Sequence, residues 1–241
     1  MQFSYLVTFT HPDARARVSN DDRERVAGCV EATPGLSRAR LYTPAAAQDY
    51  YTNDGPSPTF AFQLDFERLV DLETAIGPDG HLQALARGSF AILADCAVEQ
   101  QVMARRPFPA VDPTPAVPDG ALPCQFLVHY PGHAEDFDAW LNYYLSHHPQ
   151  IMKFFEGVRE IEIFTRVDWV DAMPWKRVHY MQRNKLMFDS AEAITRAMNS
   201  PVRHQMRADF ERFPPFVGSN IHHPMWAETR VGSVRAVGMN I

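Results

Sequence analysis

The sequence predicts an α+β protein in which one β-α-β-β-α-β unit occurs twice. Three landmarks recur in both halves: a phenylalanine that opens an apolar run, a glycine after a helical stretch, and a phenylalanine that closes another apolar run. They are Phe3, Gly35 and Phe66 in the first half and Phe126, Gly157 and Phe188 in the second. The landmarks are about 31 residues apart in both halves, and such matched spacing indicates one supersecondary unit used twice.

Composition and charge place the chain among ordinary globular proteins. It has 241 residues, of which 46% are hydrophobic and 22% are charged, enough for a real core. The net charge of −6 is spread without a basic run, so we expect neither nucleic acid nor an anionic membrane as a partner. Three widely spaced cysteines predict a reducing compartment. The chain shows no leader peptide and no membrane-spanning apolar run, so we expect a cytoplasmic protein.

The first unit, residues 1–106, is predicted to contain four strands and two helices. Ser19 followed by Asp22 is typical of a helix start. The predicted strands are Phe3–Thr10, Leu36–Thr43, Thr59–Phe66 and Cys96–Arg106; one helix follows Ser19 and ends at Glu31, and the other covers Arg68–Ile76. Residues 107–123 contain six prolines, which favours an extended, semi-rigid linker at the boundary between the units.

The second unit, residues 124–241, repeats this order with more pronounced patterns. Its longest helix, 134–155, has apolar residues at intervals of three and four. Asp189 with Glu192 predicts a helix beginning at Ser190, and Ser200-Pro201 predicts another that ends at Phe213. The predicted strands are Cys124–Tyr130, Val158–Arg166, Val178–Phe188 and Asn220–Arg230.

Units of this order are ferredoxin-like: a four-stranded antiparallel sheet with both helices on one face. The bare face of each sheet must be covered, and two units in one chain can cover each other. We therefore expect two tandem ferredoxin-like units that form a pseudo-dimeric α+β barrel and enclose a space between the sheets. The barrel could also pair with a second copy as a homodimer.

Part of the second unit resembles a known family. The stretch FDAWLNYYLSHHPQIMKFFEGVREIEIF, followed by LMFDSAEAITRAMNSP and ADFERF, resembles the EthD-like branch of the dimeric α+β barrel proteins. The positions that match are His148, Pro149, Gly157, Phe188-Asp189-Ser190 and Ser200-Pro201. The resemblance covers residues 122–230. In the first unit the position that corresponds to His148, nine residues before the glycine, is Val26, so the resemblance implies a single working site in the second unit.

Histidines of the second unit are the main candidates for chemistry. His148 holds the family position and suits proton transfer near neutral pH, although a histidine at a helix end can also simply bind the last carbonyl groups. Tyr144 lies one helical turn earlier and is predicted to share its pocket, though the aromatic residues of this helix are also typical of core packing.

Two predicted strands supply candidate substrate contacts. Alternation along 178–188 places His179, Arg183 and Lys185 on the enclosed face, where cations would bind a carboxylate; a merely hydrated polar face is an equal alternative. His222 and His223 point to opposite faces of the last strand, so at most one faces the interior, with Trp226 nearby as a stacking wall.

Several motif-defined classes are excluded. The chain contains no HExxH, GxGxxG or GxxxxGK[ST] pattern and no GxSxG nucleophile elbow. We predict no metal site and no cofactor, since the adjacent histidines lack suitably spaced partners.

The resemblance implies an enzyme of bacterial aromatic catabolism, for example of lignin-derived aromatics, acting on a small carboxylated ring-cleavage product of the muconate or lactone type. From these residues we expect a cofactor-independent isomerase or hydrolase, of the methylesterase or lactone type. In it His148 and His179 would move protons, Arg183 would hold the carboxylate, and Tyr144 would orient it. Two alternatives stay open: a non-catalytic small-molecule binding protein of a degradation pathway, and a haem- or metal-dependent oxygenase.

Overall fold

The computed structural model describes residues 1–88 and 93–233, and the chain there forms strands β1–β11 and helices α1–α6. The strands are β1 Gln2–Thr10, β2 Leu36–Pro44, β3 Phe60–Phe66, β4 Ala97–Phe108, β5 Cys124–Tyr130, β6 His133–Ala134, β7 Val158–Arg166, β8 Lys176–Arg177, β9 Gln182–Phe188, β10 Phe216–Val217 and β11 Ile221–Arg230. The helices are α1 Asn20–Glu31, α2 Leu69–Ile76, α3 Gln83–Arg87, α4 Phe137–Met152, α5 Ala191–Met198 and α6 Pro201–Phe210, and a short 3-10 helix covers Leu93–Asp95.

Eight antiparallel strands close into a barrel in the order β1-β3-β2-β11-β5-β9-β7-β4, and β4 pairs back onto β1. The strands of the first half are arranged β4-β1-β3-β2, and those of the second half β11-β5-β9-β7. Two seams join the halves: β2 pairs with β11, as in Thr43 opposite Trp226, and β4 pairs with β7, as in Ala104 opposite Thr165. The predicted closed barrel of mixed α and β structure is confirmed.

The two landmark glycines have the same local conformation. Gly35 has φ +79° and Gly157 has φ +78°, in the left-handed region that residues with a Cβ rarely adopt. Each one ends the turn between a long helix and the strand that follows it. The glycine at this position in each half is therefore explained by a turn whose backbone conformation favours glycine.

Helices cover the outer face of the barrel, and the two large apolar cores lie between the helices and the strands. The first core packs around Phe62, Leu72 and Val26, and the second around Trp140, Ile194 and other residues of the second half. Among the described residues no helix is long and apolar enough to cross a membrane.

Side-chain caps fix where the helices begin, and they correct two predicted starts. Ser19 accepts a hydrogen bond from the Asp22 backbone N–H at 3.0 Å, as predicted. The helix predicted from residue 134 begins only at Phe137, because Asp136 caps it. Ser190, rather than Asp189, caps α5, and Asp189 instead binds Arg159.

One predicted strand begins later than expected, which removes a candidate residue. β9 begins at Gln182, and residues 178–181 connect it to the rest of the chain. This segment is held by single backbone bonds, from Val178 to Gln100 and from Met181 to Tyr130, instead of a ladder. His179 therefore lies in an exposed connection outside the sheet, so its predicted place on the enclosed strand face is wrong.

The barrel interior is filled by side chains, and the gap between them has a volume of only about 20 Å³. One end contains a buried ion network centred on Glu162, whose carboxylate binds Lys185, Arg38, Arg40 and Arg105. An enclosed space for a substrate between the two sheets was predicted, and in this respect the prediction is wrong.

Candidate functional site

One cavity lies outside the barrel, between the helices of the second half and the outer face of its sheet. We call it the helix-side cavity, and it measures about 40 Å³. It is lined by Thr52, Phe126, Val128, Tyr130, His148, Met152, Phe155, Asn184, Leu186, Met198, Arg203, Met206, Arg207, Phe210, Asn220 and His222. An outer cleft of about 510 Å³ beside it shares Thr52, Phe126 and His222 and is walled by the loop before β3.

His148 lines the cavity from the buried stripe of α4. The residue is 4% exposed, and Nδ1 lies 2.7 Å from Oδ2 of Asp209 on α6. Burial lowers the pKa of His148 below its usual value, and the hydrogen bond to Asp209 only partly offsets this. Burial acts to raise the pKa of Asp209, but the His148 contact outweighs it and the net shift is downward. An ionised carboxylate can only accept, so Nδ1 carries the proton and Nε2 keeps a free lone pair.

His222 forms a second pair of the same kind. Its Nδ1 lies 2.6 Å from Oδ2 of Asp54, which also accepts the His222 backbone N–H at 2.9 Å. Asp54 comes from the loop before β3, so the first half supplies one residue of this site. Burial opposes ionisation of Asp54, but the bonds from His222 outweigh it and lower its pKa. The His222 ring stacks on Phe126 with ring centroids 5.2 Å apart.

Tyr144 lies behind the cavity instead of lining it. It is fully buried, its ring centre is 4.9 Å from that of His148, and its hydroxyl accepts a hydrogen bond from Asn184 Nδ2 at 2.7 Å. Burial raises the pKa of Tyr144 well above its usual value, which keeps it neutral. Tyr144 thus positions Asn184, whose side chain does line the cavity.

The other predicted substrate contacts lie elsewhere. Arg183 and Lys185 face the barrel interior, on the opposite side of β9 from the cavity, and Lys185 is already paired with Glu160 and Glu162. A shared site with His148 was expected for these cations, and it does not form, because strand alternation separates them.

The two histidines of β11 do point to opposite faces, as the alternation predicts. His222 lines the cavity, whereas the ring of His223 meets that of His129, a residue of the barrel interior, with centroids 5.4 Å apart. Trp226 packs partly buried on the second core and does not line the cavity, so it forms no stacking wall there.

Sequence reasoning missed the two carboxylates. Asp209 stands on the buried side of α6 with Met206, and an acid on an apolar helical stripe is a signal that could have been used. Asp54 lies in a loop with no pattern, and only the folded structure brings it to His222. Among the described residues no three His, Cys, Asp or Glu side chains converge to hold a metal ion.

Changing Asp209 to Asn should lower the pKa of His148 further. Asp209 acts to raise that pKa by hydrogen bonding and by charge, so its removal leaves burial unopposed. Titration of the His148 ring by NMR would measure the shift, and the nitrogen chemical shifts would report which nitrogen is protonated. Tyr143→Phe is the matched control, since it removes the other hydrogen bond to Asp209, 3.1 Å long, and leaves the His148 contact in place. An unchanged His148 titration in Asp209→Asn would contradict the assigned pair.

No protein-family model and no curated protein matches the chain by sequence. Solved structures match it by shape over nearly its whole length. An anthrone oxidase-like protein has a TM-score of 0.62 at 10% identity and covers 99% of this chain and 97% of its own. A candidate monooxygenase from Fusobacterium nucleatum has a TM-score of 0.54 at 8% identity and covers 95% of this chain and 94% of its own. Another candidate monooxygenase, from Lactobacillus acidophilus, has a TM-score of 0.51 at 10% identity and covers 95% of this chain and 96% of its own.

At these identities the likeness shows the fold alone, a closed barrel of mixed α and β structure. The finer resemblance to EthD-like proteins stays a prediction. The expected isomerase or hydrolase of a muconate or lactone is wrong, because the neighbours are an oxidase-like protein and candidate monooxygenases. They agree with the oxygenase alternative.

Proposed function

We propose that the chain is an oxygenase that uses molecular oxygen to oxidise an acidic aromatic compound, a phenol or an anthrone-like enolisable ketone, in the helix-side cavity. The observation that carries this proposal is the pairing of two histidines with carboxylates around one apolar cavity. The class of reaction agrees with the names of the proteins that share the fold.

His148 is the proposed base. Its neutral ring, with Nδ1 held by Asp209, leaves Nε2 to accept a proton from the substrate. Removing that proton from a phenol or an activated CH₂ leaves an electron-rich anion, which can itself reduce oxygen. The apolar walls around the ring exclude water, which favours this transfer over loss of the proton to solvent.

The reaction balances without an external reductant. One proton leaves the substrate CH₂ for His148, the carbanion adds O₂, and the same proton returns to give a hydroperoxide. His222 then acts as a base and removes the second hydrogen of that carbon as a proton while the O–O bond breaks. The hydroxide that leaves accepts this proton from His222 and becomes water. The sum is R₂CH₂ + O₂ → R₂C=O + H₂O, with the substrate oxidised and oxygen reduced.

The walls of the cavity suit a planar ring. Phe126 and Phe155 offer planar aromatic rings, Leu186 adds apolar surface, and Asn184 offers an amide whose Oδ1 has no partner among the described residues. The closed volume is small, but three of the lining residues are methionines (Met152, Met198 and Met206), whose flexible side chains adapt to a ligand. The outer cleft gives a route of entry past Thr52 and His222.

Haem does not fit this cavity. A histidine whose Nδ1 binds a carboxylate is typical of a metal ligand, and His148 has that arrangement. Haem, however, is much larger than a phenol or an anthrone, and adjustment of the methionine side chains alone would not enlarge a cavity of about 40 Å³ enough to hold it. We therefore propose that the chain works without a cofactor, and that the substrate supplies the electrons.

The proposal includes the organisation of the chain. Residues 1–106 and 124–241 are two ferredoxin-like units joined by 107–123; the single site has both histidines in the second unit, and the first unit contributes Asp54 to it. The matching strand orders of the halves and the matching glycines support this. Val26 of α1, buried in the first core, stands where α4 has His148, which supports a single site.

The experiment is oxygen uptake by the purified protein with anthrone or a substituted hydroquinone, followed by mass spectrometry under ¹⁸O₂. We expect uptake above the rate in buffer and, with anthrone, one labelled oxygen in the product. Binding without uptake would instead favour a non-catalytic binding protein and overturn the proposal. A haem absorption band in the active protein, or loss of activity with chelator, would overturn the cofactor-free part.

A further inference from the structure

A cluster of polar side chains at the other end of the barrel from the Glu162 network is not used by the proposed reaction. It consists of Arg183 on β9, His129 on β5, His223 on β11, Gln101 on β4 and Tyr180, and we call it the barrel-end cluster. Arg183 stands directly opposite His129 in the sheet. The His129 ring lies 5.4 Å from the His223 ring and 5.5 Å from the Tyr180 ring, measured between centroids.

Arg183 is a buried cation without an anion. The residue is only 4% exposed, and no carboxylate oxygen of the described chain lies within 4.0 Å of its guanidinium. Nε donates to Gln101 at 3.3 Å, and the guanidinium lies over the Tyr180 ring at 4.5 Å. Its two terminal amino groups have no hydrogen-bond acceptor among the described residues.

The carboxylate whose charge acts on Arg183 is already engaged. Glu99 accepts from Lys176 at 2.7 Å and from the Tyr180 hydroxyl at 3.0 Å. The other buried cations described in the barrel interior, Lys185 and Arg40, are both paired with Glu160 and Glu162. Of these buried cations Arg183 is the one that lacks a carboxylate partner, and an anion from outside would offset the desolvation of its charge.

Burial also keeps the neighbouring histidines neutral. The pKa of His129 lies well below its usual value, and that of His223 falls to about 4, through burial first and neighbouring positive charges second. Nδ1 of His223 is buried without a partner among the described residues. A neutral imidazole can donate one N–H to an anion without adding a second positive charge.

We propose that the barrel-end cluster binds a small monovalent anion, a halide or a carboxylate of formate size, held by the terminal amino groups of Arg183 and by an N–H of His129 or His223. The geometry that carries this is that Arg183, whose two terminal amino groups have no acceptor in the described chain, lines the same gap as His129 and Leu127. The gap of about 20 Å³ excludes larger organic acids. The site is separate from the helix-side cavity, since the two lie on opposite faces of β9.

The test is thermal unfolding of the full chain at rising chloride or formate, with ionic strength held constant by sodium gluconate, an anion too large for the gap. We expect a saturable rise in Tm with each small anion. Arg183→Met should weaken the apparent affinity by about tenfold or more. Arg166→Met is the matched control, because Arg166 is an exposed arginine on the neighbouring strand β7, over the Phe137 ring, and should leave the response unchanged.

A second measurement covers the case in which Arg183→Met does not fold. Bromide in crystals of the wild-type protein should give an anomalous peak within hydrogen-bond distance of the Arg183 guanidinium. The absence of a saturable rise, an equal rise in Arg183→Met, or bromide bound only at the surface would overturn the proposal. The experiment reads binding alone, so its result does not depend on whether the oxygenase proposal holds.

Discussion

Replacing His148 by glutamine should reduce oxygen uptake by about 10²–10⁴-fold, the range that a positioned general base contributes. Glutamine can still donate a hydrogen bond to Asp209, so the helix contact is kept while the proton acceptor is lost. The wild-type rate should fall as the pH drops through the lowered pKa of His148, because the base must be neutral. Steady-state oxygen uptake as a function of pH would measure both effects.

His147→Gln provides the matched control. His147 is the next residue on α4, but it is exposed, and its ring stacks on Tyr143 at 4.1 Å, away from the cavity. Its replacement should leave turnover within about twofold of wild type, as for a surface change. Full activity in a folded His148→Gln variant would rule out His148 as the base and leave His222 as the remaining candidate.

Replacing Glu162 by glutamine should destabilise the protein by about 3–5 kcal/mol, the cost of breaking a buried ion pair. Glu162 is fully buried, and its carboxylate binds Lys185, Arg105 at 2.5 Å and Arg38 at 2.8 Å. Glutamine is close in shape but carries no charge, so these cations would lose their shared anion. Denaturant unfolding at neutral pH would measure the change.

The same variant predicts a dependence on pH. Burial acts to raise the pKa of Glu162, but Lys185 and the arginines outweigh it and hold the pKa well below the usual range. A carboxylate with a lowered folded pKa stabilises the protein above its unfolded pKa and loses this effect as the pH falls. The difference between wild type and Glu162→Gln should therefore shrink below about pH 4. Glu156→Gln, an exposed change just before β7, should cost less than about 0.5 kcal/mol at any pH; an equal loss in both variants would refute the role of the network.

The elements that sequence reasoning predicted best are those with strong local signals. Cys124–Tyr130 and Val158–Arg166 agree with the observed strands at both ends. The first is an apolar run between two prolines, and the second follows Gly157 and alternates apolar with polar residues along most of its length. The strand predicted from Val178 begins at Gln182 instead, since alternation continues in the sequence after the hydrogen-bond ladder has ended. Local pattern thus identified the strand, and pairing decided its length.

The candidate site was half predictable. His148 and His222 were found from the sequence, but Asp209 and Asp54 were not, because their contacts join residues far apart in the chain. The side on which the site lies was open to prediction. Trp140, Tyr144 and His148 follow each other at four-residue steps, so all three lie on the stripe that packs against the sheet. A histidine on that stripe belongs between helix and sheet, which excludes the barrel interior.

The position of β11 has a consequence for how the protein is made. It is the last strand of the described chain, yet it lies between β2 of the first half and β5 of the second. A chain emerging from the ribosome would hold two open sheet edges until β11 arrives, and unpaired edges are prone to wrong pairing. Contacts this distant in sequence also slow folding. Because His222 is carried on this strand, a nascent chain acquires its complete site only in the step that closes the barrel.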